Sequence, residues 1–296
     1  MARPRGVFVG LTTVDLIHRV ARPVGADEKV TALSQEIVAG GPAANAAVTF
    51  ALLGGEAELI TDLGRHPLAR LAAQDLTANG VRVRAVVPDT DEPPAVSSIR
   101  VLDATGERSV VSVNAAARAV PAPDWLAAVL NGAAVLLLDG HHPRPALAAA
   151  RAARERSVPV VLDAGSWKPV LDELLPLVDV AICSAAFRLP DGAVPPALLG
   201  RGVRRVAVTD GPQPVRWWAA GGERSGEGTV PIPRVVVRDT LGAGDVFHGA
   251  FAHQLAGRPG RSFADQLARS GSVAADRCQV VGMAAWRAWR QQMSTA

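Results

Sequence analysis

The chain has 296 residues, 49% of them apolar, which suits one domain with a sizeable buried core. Its net charge is only +3, and its arginines are scattered rather than gathered into a basic stripe with interleaved aromatics, which excludes a nucleic-acid partner. No apolar run is long enough to cross a bilayer, so a membrane-spanning protein is excluded as well.

In chain order, residues 6–11 read as a first strand. Residues 12–39 lack helical periodicity. Ile17, Val20 and Val30 are dispersed among polar residues and Pro23, as in short edge strands. Gly40-Gly41-Pro42-Ala43-Ala44-Asn45 opens a helix that runs to Leu53 and stops at Gly54-Gly55. A strand over 58–62, a helix over 67–78 and strand-like residues 81–87 follow. Residues 95–113 read as a hairpin, with Val96, Ser98, Arg100 and Leu102 alternating before the turn Asp103-Ala104-Thr105-Gly106. Strands over 135–139, 158–163, 178–183 and 206–209 then alternate with helices near 145–155 and 170–175. Val235-Val236-Val237 reads as another strand. Helices over 243–255 and 263–277 and a Trp-rich helical segment near 284–291 close the chain.

This alternation predicts one α/β domain over residues 1–296, with a parallel sheet covered on both faces by helices. The two β excursions, 12–39 and 95–113, can pair into a small separate sheet. It would act as a lid over the carboxyl ends of the strands, where such folds bind ligands. Cys183 and Cys278 sit in apolar contexts and read as reduced thiols of a cytoplasmic protein.

The most informative stretch is Asp239-Thr240-Leu241-Gly242-Ala243-Gly244-Asp245, a turn that becomes a helix. Gly242 and Gly244 let the backbone turn sharply and let an anion approach. The first N–H groups of the helix, and its dipole, favour that anion. Asp245 beside it reads as a general base next to a phosphate site. A plain helix start with Asp245 as a cap would not call for so many of these residues together.

Together these two stretches resemble the signatures of the ribokinase-like (PfkB) carbohydrate kinase family. Gly40-Gly41-Pro42-Ala43-Ala44-Asn45, with Leu53-Gly54 and Asp62-Leu63-Gly64, is similar to its N-terminal signature. The Asp239–Asp245 run is similar to its C-terminal one, and their order and separation fit. Features of ketohexokinases and of sulfofructose kinases are both present. The resemblance implies a three-layer α/β/α ribokinase-like core with a mainly parallel sheet and a small β-sheet lid. It implies transfer of the γ-phosphoryl group of ATP to a hydroxyl of a small carbohydrate, a ketose or related sugar.

By that resemblance Asp245 takes the hydroxyl proton, and the backbone of Gly242, Ala243 and Gly244 forms the anion hole. Asp15, Gly40, Gly41 and Asn45 hold the sugar. Thr209 and Gly211, with Thr240, Gly242 and Gly244, line the nucleotide site. Asp239 falls where many relatives bind a monovalent cation such as K⁺. ATP and Mg²⁺ are the implied cofactors, and a homodimer through the lid is the implied assembly. One departure concerns Mg²⁺: the family's Asn-x-x-Glu reads Ser184-Ala185-Ala186-Phe187 here.

Lys29 aligns with a lysine that sulfofructose kinases place near the sulfonate, which implies an anionic sugar. A solvated lid lysine is the other reading. His141 and Ser112 stand at the remaining anion-holding positions and argue against sulfofructose itself. His141 follows a strand end and reads as lining the acceptor site. The absence of aromatic residues from both lid segments favours a sugar over a nucleoside. A nucleoside kinase of the same fold and a non-catalytic sugar or nucleotide sensor are the alternative readings.

Overall fold

The computed structural model describes residues 3–114, 118–193, 195–221 and 225–295. Its main sheet has nine strands in the order β13-β12-β11-β10-β9-β8-β1-β4-β5. In chain order these are β1 (Arg5–Val9), β4 (Glu56–Thr61), β5 (Val81–Ala85), β8 (Val135–Leu138), β9 (Val160–Ala164), β10 (Val180–Ser184), β11 (Arg205–Asp210), β12 (Gln213–Ala219) and β13 (Gly226–Val230). From β11 across to β5 every pairing is parallel. The central strands β8, β9 and β10 are apolar almost without alternation because both faces are covered, whereas the edge strand β5 alternates Val and Arg. Phe8, Leu137 and Val161 point into one core, and Val7, Val9, Leu136, Leu138 and Leu162 into the other.

The first core is roofed by α1 (Pro42–Leu52), α2 (Pro67–Ala78), α6 (Ala243–Gly257), α7 (Phe263–Cys278) and α8 (Met283–Thr295). The second lies under α3 (Leu126–Val129), α4 (Pro143–Glu155) and α5 (Leu171–Leu174). α1 is apolar nearly all round because it is enclosed by β1, β4 and α6. A Cβ on Gly249 of α6 would stand 2.3 Å from the Ala46 carbonyl oxygen of α1, so only glycine allows this helix pair to approach so closely.

The lid is a four-stranded sheet in the order β3-β2-β6-β7, from β2 (Thr13–Val20), β3 (Ser34–Gly40), β6 (Ala95–Leu102) and β7 (Arg108–Ser112). The two sequence excursions do meet. β2 pairs β6 in parallel, and each pairs its own hairpin partner antiparallel. Thr13, Asp15 and Ile17 face inward and are buried. The hairpin turn at Gly106 rests on the backbone of Arg238, and Arg19 donates to the Arg238 carbonyl, so the lid is latched onto the loop before α6.

One expectation needs correction, and one element was not foreseen. Residues 235–237 form no strand; Val236 is 79% exposed. The sheet edge beyond β11 is instead taken by the β12–β13 hairpin, which the sequence reading missed. Pro214, near the start of β12, and the adjacent Trp217-Trp218 hide the two-residue period of that strand.

The order in which strands are added reverses at β1, which has β4 on one side and β8 on the other. That switch point, at the carboxyl ends of the strands and beneath the lid, is where an open α/β sheet leaves a crevice.

Candidate active site

Four segments converge on the crevice: the end of β1, the entry to α1, the lid strand β2 and the entry to α6. Asp139, just past β8, ties the first two together. Its carboxylate accepts from the backbone N–H groups of Leu11 (2.8 Å), Ala43 (3.2 Å) and His141 (3.0 Å). Burial works against its charge, but the His141 ring and N–H hold its pKa well below the usual carboxylate range. Gly41 then turns into α1 with φ 98°, and a Cβ there would lie 2.4 Å from the Leu11 carbonyl oxygen. The entry to α1 is therefore a rigid corner.

Asp15 comes from the lid and lies against Gly40. A Cβ on Gly40 would be 2.0 Å from Asp15 Oδ2. Thr13 donates its hydroxyl to Asp15 Oδ1 at 2.6 Å. Burial raises the Asp15 pKa, while Thr13, Ser97 and the charge of Arg287 pull it back.

The entry to α6 carries the predicted base. Gly242 has φ 71°, a left-handed turn that starts the helix at Ala243. The Cβ position of Gly244 meets nothing within 4 Å, so its backbone faces open space. Asp245 sits in the first turn and is partly exposed to the crevice. Asn45, in the first turn of α1, donates its amide to Asp245 Oδ2 at 2.8 Å. Burial, then the charge of Asp163, pushes the Asp245 pKa up to about 6, and the Asn45 bond only partly offsets this.

Asn45 is itself held. Arg287 of α8, 2% exposed, donates to Asn45 Oδ1 (3.1 Å), to the Ala39 carbonyl (2.8 Å) and to Asp75 (2.7 Å). An arginine only donates, so the Asn45 oxygen must face it and the NH₂ must face Asp245. Asp163, at the end of β9, is buried and lies 3.4 Å from His248 of α6. His248 also contacts the Gly244 carbonyl at 2.7 Å. Sequence reading overlooked Asp139, Asp163, His248, Arg277 and Arg287, since no local motif marks them.

Of the predicted residues, the structure brings together Asp15, Gly40, Gly41, Asn45, Gly242, Ala243, Gly244 and Asp245. His141 stands beside them, its Nδ1 3.2 Å from Asp139, while its neighbour His142 is buried with both ring nitrogens unpartnered. Thr209 is next to last in β11, with its hydroxyl 3.4 Å from the Cys183 carbonyl, and Gly211 makes the exposed turn after the strand. Lys29 is different. It is exposed in the connection 21–33, and the strands flanking it pair with Arg19 against Ser34, at the lid end remote from Asp15. It has no hydrogen bond or ion pair among the described residues.

The Thr240 hydroxyl faces the lid, where it donates to the Gly106 carbonyl and accepts from Arg108. The surroundings of Asp239 do not fit a monovalent cation. Both carboxylate oxygens already accept hydrogen bonds, and one partner is the buried guanidinium of Arg277. Among the described residues no three acidic, His or Cys side chains gather to hold a metal. Mg²⁺ that arrives on nucleotide phosphates keeps several waters and needs one or two carboxylates, a demand Asp163 fits.

The arrangement can hold a polyol at Asp15 and Asn45, a phosphoryl group at the glycine turn, and remove a proton at Asp245. A ribokinase from Arabidopsis thaliana is 28% identical over 94% of this chain and 77% of its own length. One from Bacillus subtilis is 26% identical over 84% of each. The structure of Arabidopsis thaliana ribokinase complexed with ribose and ATP superposes with a TM-score of 0.77 at 25% identity, covering 99% of both chains. The description "pfkB family carbohydrate kinase" matches residues 4–287, and with nearly the whole chain inside that match, the protein belongs to this family of sugar kinases.

Proposed function

We propose that this single-domain, ATP-dependent sugar kinase phosphorylates a free small sugar, with Asp245 as the general base. The observation that carries this is the Asn45–Asp245 pair, which sets a carboxylate of raised pKa between the sugar-holding and phosphate-holding turns. Asp15 and Asn45 bind and orient the hydroxyls. Asp245 takes the proton of the attacking hydroxyl, and the backbone of Gly242–Gly244 with the α6 dipole stabilises charge on the transferring phosphoryl group. Mg²⁺, when bound with ATP, neutralises phosphate charge, and Asp163 would hold it or its waters. Thr209 and Gly211, at the end of β11, border the nucleotide.

The relatives from Arabidopsis thaliana and Bacillus subtilis are ribokinases, and one solved ribokinase structure holds ribose and ATP. They favour a ribose-sized sugar, and ketoses of similar size belong in the same test. The inward lid residues Ile17, Val38, Ile99 and Val101 are aliphatic, which suits a sugar and offers no ring for a base to stack upon.

The lid also supports a homodimer. Ile37, Leu16, Ser98 and Val111 form one cross-strand row on its outer face, where Ile37 and Val111 are exposed. A second copy would cover that row and the free edge of β7. The two cysteines are unpaired, and no helix among the described residues is long and apolar enough to cross a membrane. Both suit a cytoplasmic enzyme.

An ADP-release assay with Mg-ATP over pentoses, ketoses, sugar acids and nucleosides tests the reading. Turnover of one sugar, reduced by ~10²–10⁴ in Asp245→Asn, is expected. Full activity in that variant would sink the assignment of the base.

A further inference from the structure

The guanidinium of Arg277 is fully buried, the least exposed charged side chain among the described residues. Arg277 is next to last in α7, is 0% exposed, and donates to three partners at once. Nη2 donates to Asp239 Oδ2 at 3.0 Å, Nη1 to the Val280 carbonyl at 2.6 Å, and Nε to the Met283 sulfur at 3.2 Å. Asp239 Oδ2 also accepts from Gly282 N–H (2.9 Å), and Oδ1 from Leu241 N–H (2.9 Å). The Cys278 carbonyl accepts from the N–H groups of Arg238 and Asp239. One buried ion pair thus joins the turn 278–283 to the loop that leads, within six residues, from Asp239 to Asp245.

We propose that Arg277 is a built-in cation for this loop, and that the kinase works without a monovalent metal ion. The carboxylate that would attract such an ion is already neutralised by a side chain that stays protonated at every working pH. The Val280 carbonyl of the adjoining turn is engaged by the same guanidinium. An ion placed at Asp239 would lie beside a like charge in a dry interior, which opposes its entry. The fixed charge does what a bound ion would do: it holds Asp239, and through Leu241 it sets the left-handed turn at Gly242 from which the first N–H groups of α6 project. Arg277 touches no reacting atom, so it is a positioning residue. The inference rests on the reading of residues 239–245 as the phosphate loop.

The test compares K⁺ with tetramethylammonium, both as chlorides at matched ionic strength, using the full chain. Thermal unfolding and Mg-ATP affinity by calorimetry are read first, and turnover of the best sugar second. We expect midpoints within about 1 °C and affinities within about twofold in the two salts. A K⁺-specific rise of several degrees, or a tenfold tightening or activation, would overturn the proposal. A second arm uses Arg277→Ala. Its Mg-ATP affinity should fall at least tenfold in tetramethylammonium and recover with millimolar methylguanidinium or with K⁺. Wild-type affinity in tetramethylammonium would overturn the positioning role, and if the variant does not fold, the wild-type salt comparison still decides. Silence of the whole sugar panel would count against the acceptor assignment, while the calorimetric comparison of salts would still read the role of Arg277.

Discussion

Asn45 and Asp245 stand 200 residues apart in sequence and 2.8 Å apart in space, the amide of one donating to the carboxylate of the other. The bond couples the turn proposed to hold the sugar to the turn proposed to hold the phosphate. It also leaves the second Asp245 oxygen for a proton coming from the acceptor.

The raised Asp245 pKa predicts the pH profile. A base must be ionised, so kcat/KM should rise through about pH 6 and level off above it. The charge of Asp163 is part of the cause, so Asp163→Asn should move this acid limb to lower pH. An unmoved limb in that variant would remove Asp163 from the account.

The same shift has a consequence for stability. A carboxyl whose folded pKa lies above its unfolded value binds more protons when folded, so its contribution to stability falls as pH rises from about 4 to about 6. Asp245→Asn should therefore be the more stable protein at pH 8, by on the order of 2 kcal/mol, while inactive. Urea unfolding of both proteins at pH 4 and pH 8 checks the sign: the advantage should shrink at pH 4.

Arg287 fixes the orientation of Asn45, and its removal should be felt at the sugar. Arg287→Met leaves Asp75 without its ion-pair partner and should destabilise by about 3 kcal/mol. The double variant with Asp75→Asn should recover much of that stability. If Arg287 positions Asn45, the double variant still shows a KM for the sugar raised roughly tenfold, with the KM for ATP little changed, an effect about as large as one lost hydrogen bond to a charged group. Normal sugar KM in the stable double variant would reduce Arg287 to a packing role.

Gly40→Ala tests the contact beneath Asp15. A methyl 2.0 Å from Oδ2 must displace the carboxylate. The expected result is on the order of a hundredfold loss in kcat/KM for the sugar, with ATP affinity retained. An unchanged sugar KM would show that Asp15 is not part of the acceptor site.

Assembly is checked by sedimentation. Val111 is 67% exposed on the outer lid face, so Val111→Glu should shift a dimer towards monomer. A wild-type monomer at assay concentration would remove the lid dimer from the picture.

Much of the fold was legible because its signals are short. Apolar runs marked β8 and β9, and Pro67 with Asn79-Gly80 bounded α2. The hairpin β12–β13 was not legible, because Pro214 and adjacent tryptophans obscure its period and its pairing with β11 makes it a strand. Val235-Val236-Val237 shows the converse: strand propensity without a neighbour to pair with yields exposed coil.

By itself the sequence determined the two glycine turns, the helices they open and the acidic residue in the second. Left-handed turns, helix entries and buried parallel strands are each specified within a few residues. Only the tertiary structure decided what stands around them. Arg287 reaches Asn45, Arg277 reaches Asp239, and Asp163 raises Asp245 across separations that no local window spans. A buried charge takes its role from whatever packing places beside it. The physical reason is that low dielectric makes one nearby donor or carboxylate decisive.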